Sequence, residues 1–230
     1  MTVILPIKSG SRWAPVAASD YATPLQAAEL AIGCRLKNLG NIIEPLIAEH
    51  TLGNIDQPTT RLRIKGALTS NGKLPYFEIN GVRQELDGEW LDLVIKTNTE
   101  LVCGYRSFVQ SIDPEMLDAY PARELVHVKG ETEPYDWPGR WTAAGGKIFS
   151  GRMIALKNDP VWLKISDFGH PHPPFAFGSG MDMVDVSRVD AVSLELTGWR
   201  YEIEVAPCPI CDNSSNPGDG NGNDNGDTAT

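Results

Sequence analysis

The side chains with the greatest capacity for chemistry are two histidines and two cysteines. His170 and His172 flank a proline in DFGHPHPPFAFGSGMD, residues 167–182, and Cys208 and Cys211 form a CPIC pair. Alternate side chains of an extended His-Pro-His project to one side, so both imidazoles could face one ion. Cys-x-x-Cys is knuckle spacing for zinc, which takes four ligands. Cys208, Cys211, His170 and His172 would then define a zinc-stabilised binding module. A second chemistry is acid–base: His127, His170 and His172, with Asp159, Asp167 or Asp182, are the residue types of a hydrolase or toxin-like enzyme. The surrounding sequence gives that reading little support. Ser179 lies in a Gly-Ser-Gly run too short for a nucleophile elbow. The glycines near Gly145 lack the Lys-Ser/Thr ending of a phosphate loop, and no HExxH occurs. The third reading is architectural. The histidines bond backbone groups around a connector stiffened by Pro171, Pro173 and Pro174, each proline lowering the entropy cost of the path. On that reading the chain is not an enzyme and needs no cofactor.

These residues must be positioned by the elements around them, and the pattern predicts an α+β protein. Residues 1–22, broken by Pro6, Gly10 and Pro15, read as an extended N-terminal arm. Thr23-Pro24 is a helix-start signature. Apolar residues then recur at helical spacing from Leu25 to Ile47, with Pro45 expected to kink or divide the helix and Gly53 to end it. RLRIKGAL, residues 61–68, alternates like a short strand that puts Arg61, Arg63 and Lys65 on one face. Asn-Gly pairs at 71–72 and 80–81 signal a β-hairpin insertion around PYFEINGVRQEL. Residues 85–111 keep one apolar stripe, Trp90, Val94, Leu101, Val102 and Tyr105 among it, and read as a second long helix. ELVHV and KIFSGRMIAL read as strands, PEMLDAY and DPVWLKIS as short helices. Ser187 begins a helix with a capping-box flavour, and RYEIEVA, residues 200–206, reads as a closing strand. Cys34 and Cys103 are expected to pack as small hydrophobes.

This gives four regions: the arm (1–22), a helical region with a β-hairpin insertion (23–128), a Trp/Pro-rich compact region (129–206) and a disordered acidic tail (207–230). In the third, Trp137, Trp141, Trp162, Phe168, Phe175 and Phe177 are expected to supply a small core of their own. Phe175 and Phe177, two apart, would point to one side if extended. The tail holds four Asp from residue 212 onward and no Lys or Arg.

Composition narrows the function classes. The chain has 230 residues, 41% apolar and 22% charged, enough to bury a core. Its net charge of −10, with scattered basic residues, excludes a phosphate-neutralising duplex binder, so no specific nucleic-acid partner is expected. No run of about 18 apolar residues predicts a membrane span. The start, MTVILPIKSGSRW, has its charges after a short apolar run, the reverse of a secretory signal.

Three pieces, in order, resemble the phage Mu F-like family of minor head proteins, the phage head morphogenesis proteins. KTNTELVCGYRSFVQ, residues 96–110, supplies Thr97, Asn98 and Gly104. DPVW supplies Asp159 and Trp162. PPFAFGSGMDMVDVSR, residues 173–188, supplies Pro173, Pro174, Gly178 and Gly180. The physical sense is close helix packing at Gly104 and an Asn able to bond a neighbouring backbone. The resemblance covers about residues 85–198. Many members also carry a histidine before the Asp-x-x-Trp piece and a Cys-x-Cys after the glycines; this chain has neither, so no role tied to those residues carries over. The resemblance implies a minor component of a tailed-phage or prophage head. It would lie in the virion, inside the shell near the portal, after assembly in the host cytoplasm. Its partners would be portal or capsid-shell proteins, itself as an oligomer among them, and it would act through protein–protein contacts.

Overall fold

The computed structural model describes residues 3–9, 12–15, 36–69, 76–79, 82–128, 135–196 and 198. The expected helix start at Thr23-Pro24, Cys34, the first Asn-Gly turn, RYEIEVA, the CPIC pair and the acidic tail lie outside these residues. The fold class is mixed α+β, with the long helices expected.

The N-terminal residues form a packed hairpin, β1 (Pro6–Ser9) against β2 (Arg12–Pro15), which corrects the free-arm expectation. Val3 and Leu5 are buried in one cluster with Ile43, Ile47, Ile64 and Trp90. The hairpin is tied down by polar groups of the second half of this layer. Trp90 Nε1 donates to Pro6 O (2.9 Å), and Lys8 N donates to Gln84 Oε1 (3.1 Å).

Helix α1 (Leu36–Thr51) continues through Pro45 as one element. It ends at Gly53, whose φ of 77° suits glycine; Gly53 N bonds His50 O and Asn54 N bonds Glu49 O, the paired bonds of a Schellman ending. Residues 57–68 are helix α2 (Gln57–Leu68), not a strand. Asp56 caps it by accepting from Thr59 N (2.8 Å), and Thr60, Ile64 and Leu68, four apart, form the buried face. Leu62, which created the apparent alternation, is 69% exposed. Arg61 pairs with Asp92 and Arg63 with Glu49, so the basic residues serve two different neighbours rather than one face.

The predicted hairpin is present: β3 (Tyr76–Ile79) pairs with β4 (Val82–Glu85), with Ile79 opposite Val82; Asn80 and Gly81 lie outside the described residues. Helix α3 (Gly88–Ser111) follows, capped by Asp87 through Trp90 N (2.9 Å). It is the spine of the molecule: its first half lines the N-terminal core and its second half meets the C-terminal region.

Beyond it come α4 (Pro114–Ala119), β5 (Ala122–His127), α5 (Trp137–Ala143), β6 (Ile148–Phe149), β7 (Arg152–Leu156), α6 (Val161–Lys164), β8 (Met181–Val186) and α7 (Arg188–Ser193). The strands make one antiparallel sheet in the order β6-β7-β5-β8. Since β5 pairs with both β7 and β8, the expected boundary at residue 128 falls at the edge of a shared sheet, a correction to the division into regions. Ser187 caps α7 as predicted, with its Oγ accepting from Asp190 N (3.1 Å) and donating to the Asp190 carboxylate (2.7 Å). One face of the sheet carries the aromatic core: Trp137, Trp141, Trp162 and Phe175 are all fully buried.

Asn98 joins the first layer to α3. Its Oδ1 accepts from Ile4 N (2.9 Å), and its Nδ2 donates to Ile4 O (3.0 Å) and Val94 O (2.8 Å). The resemblance implied an Asn bonded to a neighbouring backbone, and the backbone is that of the N-terminal hairpin segment. Asn98→Ala strips both partners from Ile4 in a buried setting. We expect a loss of roughly 2–4 kcal/mol in urea unfolding and early proteolysis within residues 3–15.

Candidate functional site

The second half of α3, the segment 166–180 and the start of β8 enclose a cleft of about 370 Å³. Lys96, Glu100, Cys103 and Gly104 form one wall, spaced as one face of a helix. Pro173, Pro174, Gly178 and Gly180 form the other, with Met181 and Met183 of β8 and Arg123 of β5 beside them. Cys103 is exposed on this cleft, a correction to its expected burial.

The two walls touch at Gly104. A β-carbon there would overlap the carbonyl oxygen of Pro173 and stand 2.9 Å from His172 Nδ1. Close helix packing was expected at this glycine; the partner is instead the non-helical proline segment. Thr97 is buried one face around the helix.

The segment itself is a folded connector, and carbonyls through its second half accept hydrogen bonds, as buried carbonyls must. Pro173 O accepts from His172 Nδ1 (2.9 Å), Phe175 O from Asp167 N (2.7 Å) and Ala176 O from Ser179 N (3.2 Å). Phe177 O accepts from the Tyr135 hydroxyl (2.9 Å), Ser179 O from Trp137 Nε1 (3.2 Å) and Gly180 O from Val128 N (2.8 Å). Gly178 and Gly180 have φ of 60° and 62°, which lets the chain turn into β8. The path is bent rather than extended, so Phe175 and Phe177 separate. Phe175 stacks on Trp162 (6.2 Å between centroids), while Phe177 meets Phe168 edge-on (4.9 Å). Asp159 accepts from Val161 N (2.8 Å) to start α6, and that turn delivers Trp162, whose Nε1 donates to Leu156 O (2.8 Å).

The histidines are packed into this arrangement. His172 is 4% exposed and lies against Tyr105 and Phe108 of α3. His170 stacks on it with ring planes 8° apart and centroids 5.4 Å apart. A ligating imidazole holds its metal in its own ring plane, and stacked, near-parallel planes do not meet at one ion. The pair is therefore not aimed at a shared zinc, and Cys208 and Cys211 are outside the described residues. No group of three or more metal-ligating side chains occurs among the described residues. Burial holds both imidazoles below the ordinary histidine range, His172 to about 4. Asp167 is engaged by Arg140 (2.6 Å), and Asp182 accepts from Met183 N (2.7 Å). His127, on β5, is exposed. The acid–base set is thus dispersed.

A buried charge cluster at the base of the site went unseen in the sequence. Asp185 lies between Lys157 Nζ (2.9 Å) and Arg123 Nε (3.1 Å), and Lys157 also donates to Ser111 O at the end of α3 (3.0 Å). Burial lowers the pKa of both cations, and Asp185 works against that in each. No local motif marks them, because partners on separate strands leave no periodic signal.

Compared with protein-family models, curated proteins and solved structures, the chain finds no match.

Proposed function

We propose that the chain is a minor head, or head-morphogenesis, component of a tailed bacteriophage or prophage, similar to the Mu F-like proteins and acting through protein–protein contacts. The observation that carries this reading is the convergence of the motif residues. Gly104 comes from one piece and Pro173, Pro174, Gly178 and Gly180 from another, well separated in sequence, yet they build a single junction in which glycine abuts proline. Trp162 of the intervening DPVW piece stacks on Phe175, which anchors the end of that same proline segment. A motif of this kind specifies an architecture, and the side chains it fixes are packing groups and backbone caps. A rigid shape with few free reactive groups suits a part that is assembled rather than one that turns over substrate.

The partners on this reading are portal or shell proteins, and the place is the head interior near the portal. Mass spectrometry of purified particles and of assembly intermediates tests it. The chain is expected in both. Its absence from both, with normal heads forming when its gene is deleted, defeats the reading.

A further inference from the structure

The geometry points to an acid-operated latch: protonation of His172 expels its ring from the face of α3 and lifts residues 168–174 away, opening the wall of the cleft that they form. The inference is independent of the head-protein reading.

The ring of His172 occupies the hollow that Gly104 leaves, with Tyr105 edge-on at 6.0 Å and Phe108 at 5.9 Å. Because Pro173 O can only accept, Nδ1 carries the proton, and a second proton would go to Nε2. Among the described residues the ring makes that one hydrogen bond. The titratable or charged groups that face it are Tyr105 from α3, Arg123 from β5 and His170 from its own segment. Arg123 reaches it past Phe108, over whose ring the guanidinium lies at 5.9 Å. The acids that act on Arg123 are Asp185, committed to Arg123 and Lys157, and Asp182, which accepts from Met183 N. Glu100, on the same cleft wall as Gly104, pairs with Lys96. An imidazolium at His172 would be buried beside a guanidinium and a second imidazole, with no carboxylate bonded to it.

The motion has a built-in hinge. Asp167 N bonds Phe175 O, clipping the ends of residues 168–174 together. Phe175 stays in the aromatic core. The stretch between the clip ends is held to α3 through His172 and the Pro173 contact at Gly104.

The sign follows from the neutral ring being the one that fits. The closed state holds His172 near 4, while the released ring returns to its ordinary value near 6.5. The open state binds the extra proton between those limits, so closure is complete above about pH 6.5 and weakens as pH falls toward 4. At tenfold per pH unit, the opening equilibrium should rise up to roughly 300-fold across that window.

The test is NMR on the full chain from pH 7 to pH 4. It follows the His172 ring signals and the exchange of the Phe168 and His170 amides, which donate to Ser166 Oγ in the closed state, corrected for intrinsic rates. His172 is expected to stay neutral to about pH 4, with amide opening rising in step. In His172→Asn, which keeps a donor toward Pro173 O and cannot titrate, the rise should shrink to the part that release of His170 supplies. Titration of His172 near 6.5 with the amides still protected overturns the latch, as does a flat opening constant, or an undiminished rise in His172→Asn. Should that variant not fold, the two wild-type readouts decide the matter.

Discussion

Gly104→Ala is expected to cost roughly 1–4 kcal/mol of unfolding free energy, although alanine is the better helix former. The helix interior alone favours the change by about 1 kcal/mol. Against it, the new β-carbon overlaps the carbonyl oxygen of Pro173 and crowds its carbonyl carbon (3.1 Å) and His172 Nδ1 (2.9 Å). Two of these are backbone atoms of a segment clipped at Asp167–Phe175, so no rotamer change relieves the contact. Overpacking of this kind costs about 1–3 kcal/mol, and displacing the His172–Pro173 bond adds about 1–2 more. Gly66 is the internal control. It lies inside α2 with nothing within 4 Å of a β-carbon, so Gly66→Ala should stabilise by about 0.5–1 kcal/mol. The same chemical change thus carries opposite signs on two helices. Urea unfolding of both variants checks it, and a neutral or stabilised Gly104→Ala defeats the junction as described. On the proposed function, particles assembled with Gly104→Ala should also show reduced incorporation of the chain.

Local signals made some elements legible and left others hidden. Helix α3 and the short helices α4, α6 and α7 could be read because caps and apolar spacing agree: Asp113, Asp159 and Ser187 all bond the first-turn amides that their positions suggest. The β3–β4 hairpin followed from its Asn-Gly pair. The failures have physical reasons. In α2 the buried face is Thr60, Ile64 and Leu68, and a threonine in place of an apolar residue hides a four-residue period while exposed Leu62 imitates a two-residue one. Asp56 and Pro58 were the helix-start signals that outweigh the alternation. The N-terminal residues looked like an arm because three-dimensional partners, Asn98, Trp90 and Gln84, hold them there, and these lie some 76 to 94 positions away. The glycine–proline junction was legible only as motif pieces; that they meet is a property of the fold.

Asp185→Ala is expected to cost about 3–5 kcal/mol. The carboxylate is the anion between two buried cations, with the Lys157 side chain 1% and the Arg123 side chain 9% exposed. Removing it leaves both cations uncompensated, and breaking a buried pair by deleting one partner costs far more than the intact pair contributes. The carbonyl of Ser111 still receives Lys157, but a neutral acceptor does not balance a charge. The converse deletion should be mild. Lys157→Met fills nearly the same volume and leaves Arg123 and Asp185 as a matched pair, so the loss should stay within about 1–2 kcal/mol, set by the orphaned Ser111 carbonyl. A pH series separates charge from packing. With Asp185 gone, burial and the neighbouring Arg123 charge act on Lys157 unopposed and push its folded pKa further below the ordinary lysine value. Between that depressed value and the ordinary one near 10.5 the unfolded chain binds the additional proton, so stability rises with pH through the window. The deficit of Asp185→Ala should therefore shrink as pH is raised from 7 toward 10, whereas a deficit caused by a lost packing contact would not move. Equal losses in the two variants, or a deficit independent of pH, would show that the cluster stabilises the sheet through shape and not through charge.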